Sequence, residues 1–243
     1  MLQVMGEYLR LTERRSYNFL LGLVLLALYE AFVFLFVDVR ELDRMNLIDR
    51  LFDELLLTAN LPLVWVSAIL AVLAVGFILA DLKDGAPLKF WVLGAMLLES
   101  LAWAGVLFLM LPYLTAEVMS ASAAPQLPNS LEDSNDLLTS LGLAFGAGFY
   151  EEFFFRYVLV KLLLGLFALM TPALPRPGRQ GLTILLTALL FSATHLLVED
   201  FDAYRFAYRA LFGLVMSALF VVRRFGITAW SHAFYDVLVF TLV

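Results

Sequence analysis

The stretch GFYEEFFFRYV, residues 148–158, sets Glu151, Glu152 and Arg156 among aromatic and branched apolar side chains. Ionisable groups at bilayer depth are costly unless paired or hydrated, and those that persist there usually serve function. Further on, FSATH (191–195) and SHAFYD (231–236) carry His195, His232 and Asp236, and the chain has only these two histidines. Carboxylates and imidazoles are the groups of general acid–base chemistry, able to take a proton from water and to steady a developing negative charge. Glu152 and Arg156 stand four apart with the acid first, the favourable order for an ion pair on one helix face. Glu151, turned about 100° from Glu152 on an α-helix, is left free to serve as a base. His232 and Asp236 also share a face, where the carboxylate can accept the imidazole N–H and fix its tautomer or hold the ring as imidazolium.

These groups must be carried by elements that cross a membrane. Of 243 residues, 63% are hydrophobic and the mean hydropathy is +0.90, values of an all-α, polytopic membrane protein rather than a water-soluble domain. Seven runs approach the roughly 20 residues a helix needs to span about 30 Å of hydrocarbon. They lie at approximately 17–38, 61–80, 88–112, 137–170, 181–198, 205–222 and 226–243. The first follows Arg14 and Arg15 but is longer than a signal-peptide core and runs into VDVRELD without a small-residue cleavage site, so it reads as a retained anchor. Residues 1–136 then form an N-terminal membrane extension of three spans, and 137–243 a four-helix core that carries the three clusters.

Between the first two spans, Leu47, Ile48, Leu51, Phe52, Leu55 and Leu56 recur at helical spacing among charges, which predicts an amphipathic helix at the interface. SASAAPQLPNSLEDSND (120–136) reads as a solvated loop, and TPALPRPGRQG as the stop after the motif helix. Alternating the loops between two sides collects Arg10, Arg14, Arg15, Lys83, Lys89, Arg176, Arg179, Arg223 and Arg224 on one side. Arg40, Arg44, Arg50, Arg205 and Arg209 fall on the other. The positive-inside rule then predicts a cytoplasmic N-terminus. A net charge of −6 without a basic stripe argues against nucleic acid as partner, and the absence of cysteine excludes thiolate chemistry and Cys-ligated metal.

The three clusters together resemble the CPBP family, named for CAAX proteases and bacteriocin processing and also called the Abi family of intramembrane glutamic endopeptidases. The family's marks, EExxxR, FxxxH and HxxxN or HxxxD, occur here in order as Glu151-Glu152-xxx-Arg156, Phe191-xxx-His195 and His232-xxx-Asp236. The resemblance covers roughly 141–243. It implies an intramembrane endopeptidase in a bacterial cytoplasmic membrane. Glu151 and His195 would activate a water, and His232 with Asp236 would stabilise the oxyanion. Glu152 and Arg156 would support the site, and Phe191 would shape its wall. The implied partner is a membrane-associated peptide or protein: a lipidated or prenylated protein, a leader peptide or a C-terminal sorting segment. No cofactor is implied. Asp236 stands where many relatives have Asn, and an ionised carboxylate cannot donate a hydrogen bond. Asp236 is therefore expected to act through His232 or to be protonated itself, and a strict prenyl-protein substrate is less favoured.

Other readings use the same residues. A structural ion-pair network would explain Glu151, Glu152 and Arg156 without chemistry. Two histidines on separate spans would suit haem but leave the glutamates unexplained. Glu151, His195, His232 and Asp236 are of types that bind Zn²⁺, which gives a metal-dependent membrane protease as an alternative, although HExxH is absent. From another class come a non-catalytic peptide-binding immunity or scaffold protein and a proton-coupled transporter, the latter without the repeat symmetry such folds carry. Glu30 and Glu99 stand outside the motifs, as wet-cavity or hydrogen-bonded structural groups. Lys161 is expected to extend toward the basic side. On straight helices, His195 lies about 20 Å and His232 about 9 Å from the basic-side starts of their spans. The two meet only if the spans are tilted, offset in depth or bounded differently.

Overall fold

The computed structural model describes residues 2–36, 46, 48–49, 51, 65–83, 88–119 and 137–242. Among these, the regular structure is helical throughout. The helices are α1 (Leu2–Thr12), α2 (Arg15–Phe36), α3 (Trp65–Lys83), α4 (Phe90–Val118), α5 (Leu137–Met170), α6 (Arg176–Thr194) and α7 (Ala203–Leu242). All but α1 are long and apolar enough to cross a membrane. Their outward faces carry large apolar side chains such as Phe34, Phe90, Leu109 and Leu169, each well exposed. In lipid that exposure is the solvated state, and helices are required because each satisfies its own backbone polar groups. The protein is an integral, multi-pass membrane protein.

The expected spans at 205–222 and 226–243 are continuous as α7, broken within by Arg224, whose φ of 70° and ψ of −178° are not helical. Two helical segments, 203–223 and 225–242, thus replace two helices joined by a surface loop. Around the break, freed backbone groups find partners on other helices. The Gly226 N–H donates to Asn18 Oδ1 at 2.8 Å, and Ser100 Oγ donates to the Ile227 carbonyl at 3.1 Å. Asn18 in turn donates through Nδ2 to the Thr12 and Arg14 carbonyls, so one buried amide joins the α1–α2 turn to the α7 break. Arg223, expected in a basic loop, is buried and donates two hydrogen bonds to Glu99, at 2.6 and 2.7 Å. Tyr8 also donates to Glu99, which gives that glutamate a structural network.

This arrangement settles the depth mismatch between the histidines. Glu99 and Ser100 lie about 14 Å along α4 from its start at Phe90, and the second half of α7 begins beside them. His232 is therefore carried deeper than a loop at 223–225 would allow. The span expected at 181–198 starts earlier, at Arg176, where Pro175 caps the helix and Pro177 fits its first turn.

α5 is 34 residues long and changes its winding where the opening motif lies. Leu137–Gly146 is α-helical, Ala147–Glu151 and Phe153–Val160 are π-helical, and Lys161–Met170 is α-helical again. Such π segments inside α-helices recur at functional sites, because the wider turn re-aims side chains. Close approach of neighbours depends on glycine. A Cβ at Gly148 would lie 2.7 Å from both the Ala229 carbonyl oxygen and the Ala233 Cβ on α7. One hydrophobic core runs through α2, α4, α5, α6 and α7, so the N-terminal part and the motif-bearing part pack as neighbours.

Most of the amphipathic helix expected around 47–56 and the whole loop 120–136 lie outside the described residues, as do positions 37–38, 61–64 and 243 of the expected spans. Of the first connection, Asn46, Ile48 and Asp49 are described and buried. The Tyr29 hydroxyl on α2 donates to Asp49 at 2.7 Å and accepts the Asn46 N–H at 3.2 Å. This piece of the connection packs into the protein.

Candidate active site

Glu151 and Glu152 sit side by side where the two π segments of α5 meet, and their surroundings divide them. Glu152 is fully buried, and its Oε1 lies 3.1 Å from Arg156 and 2.7 Å from His232 Nδ1. The ion pair expected from i,i+4 spacing is present. Its carboxylate does a second thing: it accepts the Nδ1–H of His232 across 80 residues. The expectation that Asp236 takes the imidazole N–H is corrected here. Asp236 Oδ2 stands 3.5 Å from the other ring nitrogen, Nε2, outside a good N–H···O distance. Long-range packing of α5 on α7 brings Glu152 closer than the neighbour one turn away. Arg156, also fully buried, lies over the Phe191 ring at 4.4 Å, a cation–π contact in an apolar setting.

Glu151 turns into a cavity of about 240 Å³ whose wall also includes Phe191, His195, Arg209, His232 and Asp236. Three helices, α5, α6 and α7, thus bring the four residues expected to be catalytic to one space. Glu151 Oε2 is 3.9 Å from His232 Nε2. His195 begins the 3₁₀ turn that follows α6, and its Nδ1 lies 3.0 Å from the Phe191 carbonyl. A carbonyl only accepts, so this Nδ1 carries a proton and Nε2 of the neutral ring is left as an acceptor. Phe191 packs edge-on to the rings of His195 and His232, with centroids 5.2 and 6.3 Å away, and so forms the wall between them. Among the described residues, no three acidic or imidazole side chains are arranged to hold one metal ion.

Four neighbours of the site escaped the sequence reading. Asn46 donates from Nδ2 to Glu151 Oε1 at 2.8 Å, both groups being buried. Its own Oδ1 accepts the Ile48 N–H, which fixes the amide's orientation. Nothing in the spacing around Asn46 announces this, because it lies in the connection that carries no motif. Arg209 lines the cavity and is held by Glu199 through two hydrogen bonds, at 2.7 and 2.9 Å. Tyr208 and Tyr235 also line it, joined hydroxyl to hydroxyl. Tyr235 precedes Asp236 within SHAFYD, the only one of the four inside a recognisable motif.

Residues 133–238 match the family model described as type II CAAX prenyl endopeptidase Rce1-like. Over these residues the chain is similar to the Rce1-like family, within the CPBP group. The matched Rce1-like region contains every residue of the three motifs and begins just before α5. The match supports a CAAX-type protease embedded in the membrane, acting on a membrane-associated substrate. Comparison with curated proteins and with solved structures returned no match to this chain.

Proposed function

We propose that this Rce1-like protein is an intramembrane endopeptidase of the glutamic type, with 137–243 as its catalytic part, seated in a bacterial cytoplasmic membrane with a cytoplasmic N-terminus. The observation that carries the reading is the convergence of Glu151, His195, His232 and Asp236, from three helices, on one cavity of about 240 Å³. Space of that size admits water beside a peptide bond. Glu151, aided by Nε2 of His195, takes a proton from the water, and the hydroxide adds to the scissile carbonyl carbon. The carbonyl oxygen becomes an oxyanion, which the Nε2–H of a protonated His232 stabilises. Its ring is held by the Nδ1–H donated to Glu152, itself neutralised by Arg156. As the C–N bond breaks, the proton passes from the Glu151–His195 pair to the leaving amine. The products are a new carboxylate terminus and a new amine terminus, with no covalent enzyme intermediate. The substrate is a lipidated or prenylated protein, a leader peptide or a C-terminal sorting segment.

The test compares peptide termini across the host proteome in cells carrying wild-type protein, Glu151→Gln, or none. Glutamine keeps the shape of the side chain but cannot accept the proton, so turnover should fall by about 10²–10⁴-fold at undiminished protein abundance. New termini that need Glu151 would establish proteolysis and name the substrate. Should Glu151→Gln behave as wild type while deletion retains a phenotype, a peptide-binding role replaces catalysis.

A further inference from the structure

A second cavity, of about 520 Å³, lies away from the candidate catalytic one and shares no lining residue with it. Four cations face it: Arg15 at the start of α2, Lys161 on α5, Arg176 at the start of α6 and Arg224 at the break in α7. Glu13 is its one acidic wall residue. Among the described residues, none of the four cations makes an ion pair, whereas Arg14, Arg156, Arg209 and Arg223 each have one. Arg15 rests near the Phe77 ring, and Lys161 caps the Tyr157 ring with its ammonium 3.3 Å from the centroid. Leu164, Phe220 and Phe225 continue the wall as apolar surface.

We propose that this cavity binds an anionic phospholipid, its phosphate among the four cations and part of an acyl chain along the apolar wall. Two of the cations, Arg15 and Arg176, stand at helix starts, and at a membrane interface lipid phosphates are the abundant anions. A small soluble anion would use the charges and leave the apolar wall without purpose. The break at Arg224 fits the same reading. Arg223 and Arg224 are adjacent, yet the positive φ between them sends the first to Glu99 and the second to the cavity. The proposal does not depend on proteolysis.

Its test counts lipids retained by the intact protein. Wild type, the double variant Lys161→Gln with Arg176→Gln, and a control double variant Arg10→Gln with Lys83→Gln are reconstituted in phosphatidylcholine containing about a quarter phosphatidylglycerol. They are then extracted and analysed by native mass spectrometry, with and without inorganic phosphate. Both pairs of substituted residues lie at exposed or partly exposed positions, and the control cations do not line the cavity. Wild type and control should retain phosphatidylglycerol over phosphatidylcholine. The cavity variant should lose that preference by roughly five-fold for each cation removed. Equal retention by both double variants, or no preference in wild type, overturns the proposal. Displacement of the lipid by inorganic phosphate assigns the site to free phosphate and overturns it equally.

Discussion

Asp236 is the residue whose chemistry the geometry leaves most exposed to experiment. It stands 3.5 Å from His232 Nε2 and shares the cavity with Glu151, while Glu152 holds the far side of the imidazole. An effect on the proton carried by His232 is the role open to it. Asp236→Asn should therefore keep turnover within about ten-fold yet move the pH dependence of kcat/KM, which reports free-enzyme groups. A profile that superimposes on wild type would remove Asp236 from the proton inventory. Asn46 acts one step earlier, by holding Glu151 through a buried hydrogen bond. Asn46→Ala should lower kcat roughly ten-fold with KM little changed, since Glu151 loses the group that fixes its position. A change in KM alone would make Asn46 part of substrate binding instead. At this scale the sequence was informative where partners stand one helical turn apart, as in Glu152 and Arg156. It was silent where they meet across the fold, as in Glu152 with His232 or Asn46 with Glu151.

Elements place these residues, and two of them do so by departing from regular winding. α5 widens into π turns around the motif, and Gly148 lets it lie against α7. Gly148→Ala would push the two helices apart by forcing a methyl into a 2.7 Å gap. A loss of about 1–3 kcal/mol is expected in thermal unfolding of the detergent-solubilised protein, with lowered activity. Gly165→Ala, on the same helix with open space at that position, should be neutral and serves as the comparison. The connection between α6 and α7 is pinned by Glu199. Partial burial would raise its carboxyl, but hydrogen bonds and the positive charge of Arg209 outweigh this and hold it below the usual carboxylate range. A depressed folded-state pKa contributes stability above the ordinary range and loses it as pH falls through the depressed value. The difference in thermal midpoint between wild type and Glu199→Gln should accordingly shrink on acidification, and a constant difference would mean the pair contributes nothing through its charge. Apolar runs announced the spans, and three prolines, Pro172, Pro175 and Pro177, announced the stop between α5 and α6. The break in α7 stayed hidden because two arginines flanked by apolar runs read equally as a loop, until Glu99 and Asn18 are seen to receive its polar groups.

At the scale of the whole molecule, the apolar belt and the shared core make the N-terminal helices structural partners of the motif-bearing ones. α2 supplies Asn18 to the break in α7, Tyr29 to the segment bearing Asn46, and the Leu21 carbonyl to the indole N–H of Trp230. Residues 1–136 offer no motif of their own, and the sequence pattern identified in them only spans, an interfacial helix and a solvated loop. The described helices among them act through contacts that no local pattern encodes.

The bond from Gly226 to Asn18 joins residues 208 positions apart. During synthesis Asn18 is made early and waits for a partner that emerges only when the second half of α7 does. His232 and Asp236 follow that anchor by less than three turns, so the cavity gains their wall only as the second half of α7 docks. Glu151, His195, His232 and Asp236 therefore share one space only once a contact that spans most of the described fold has formed.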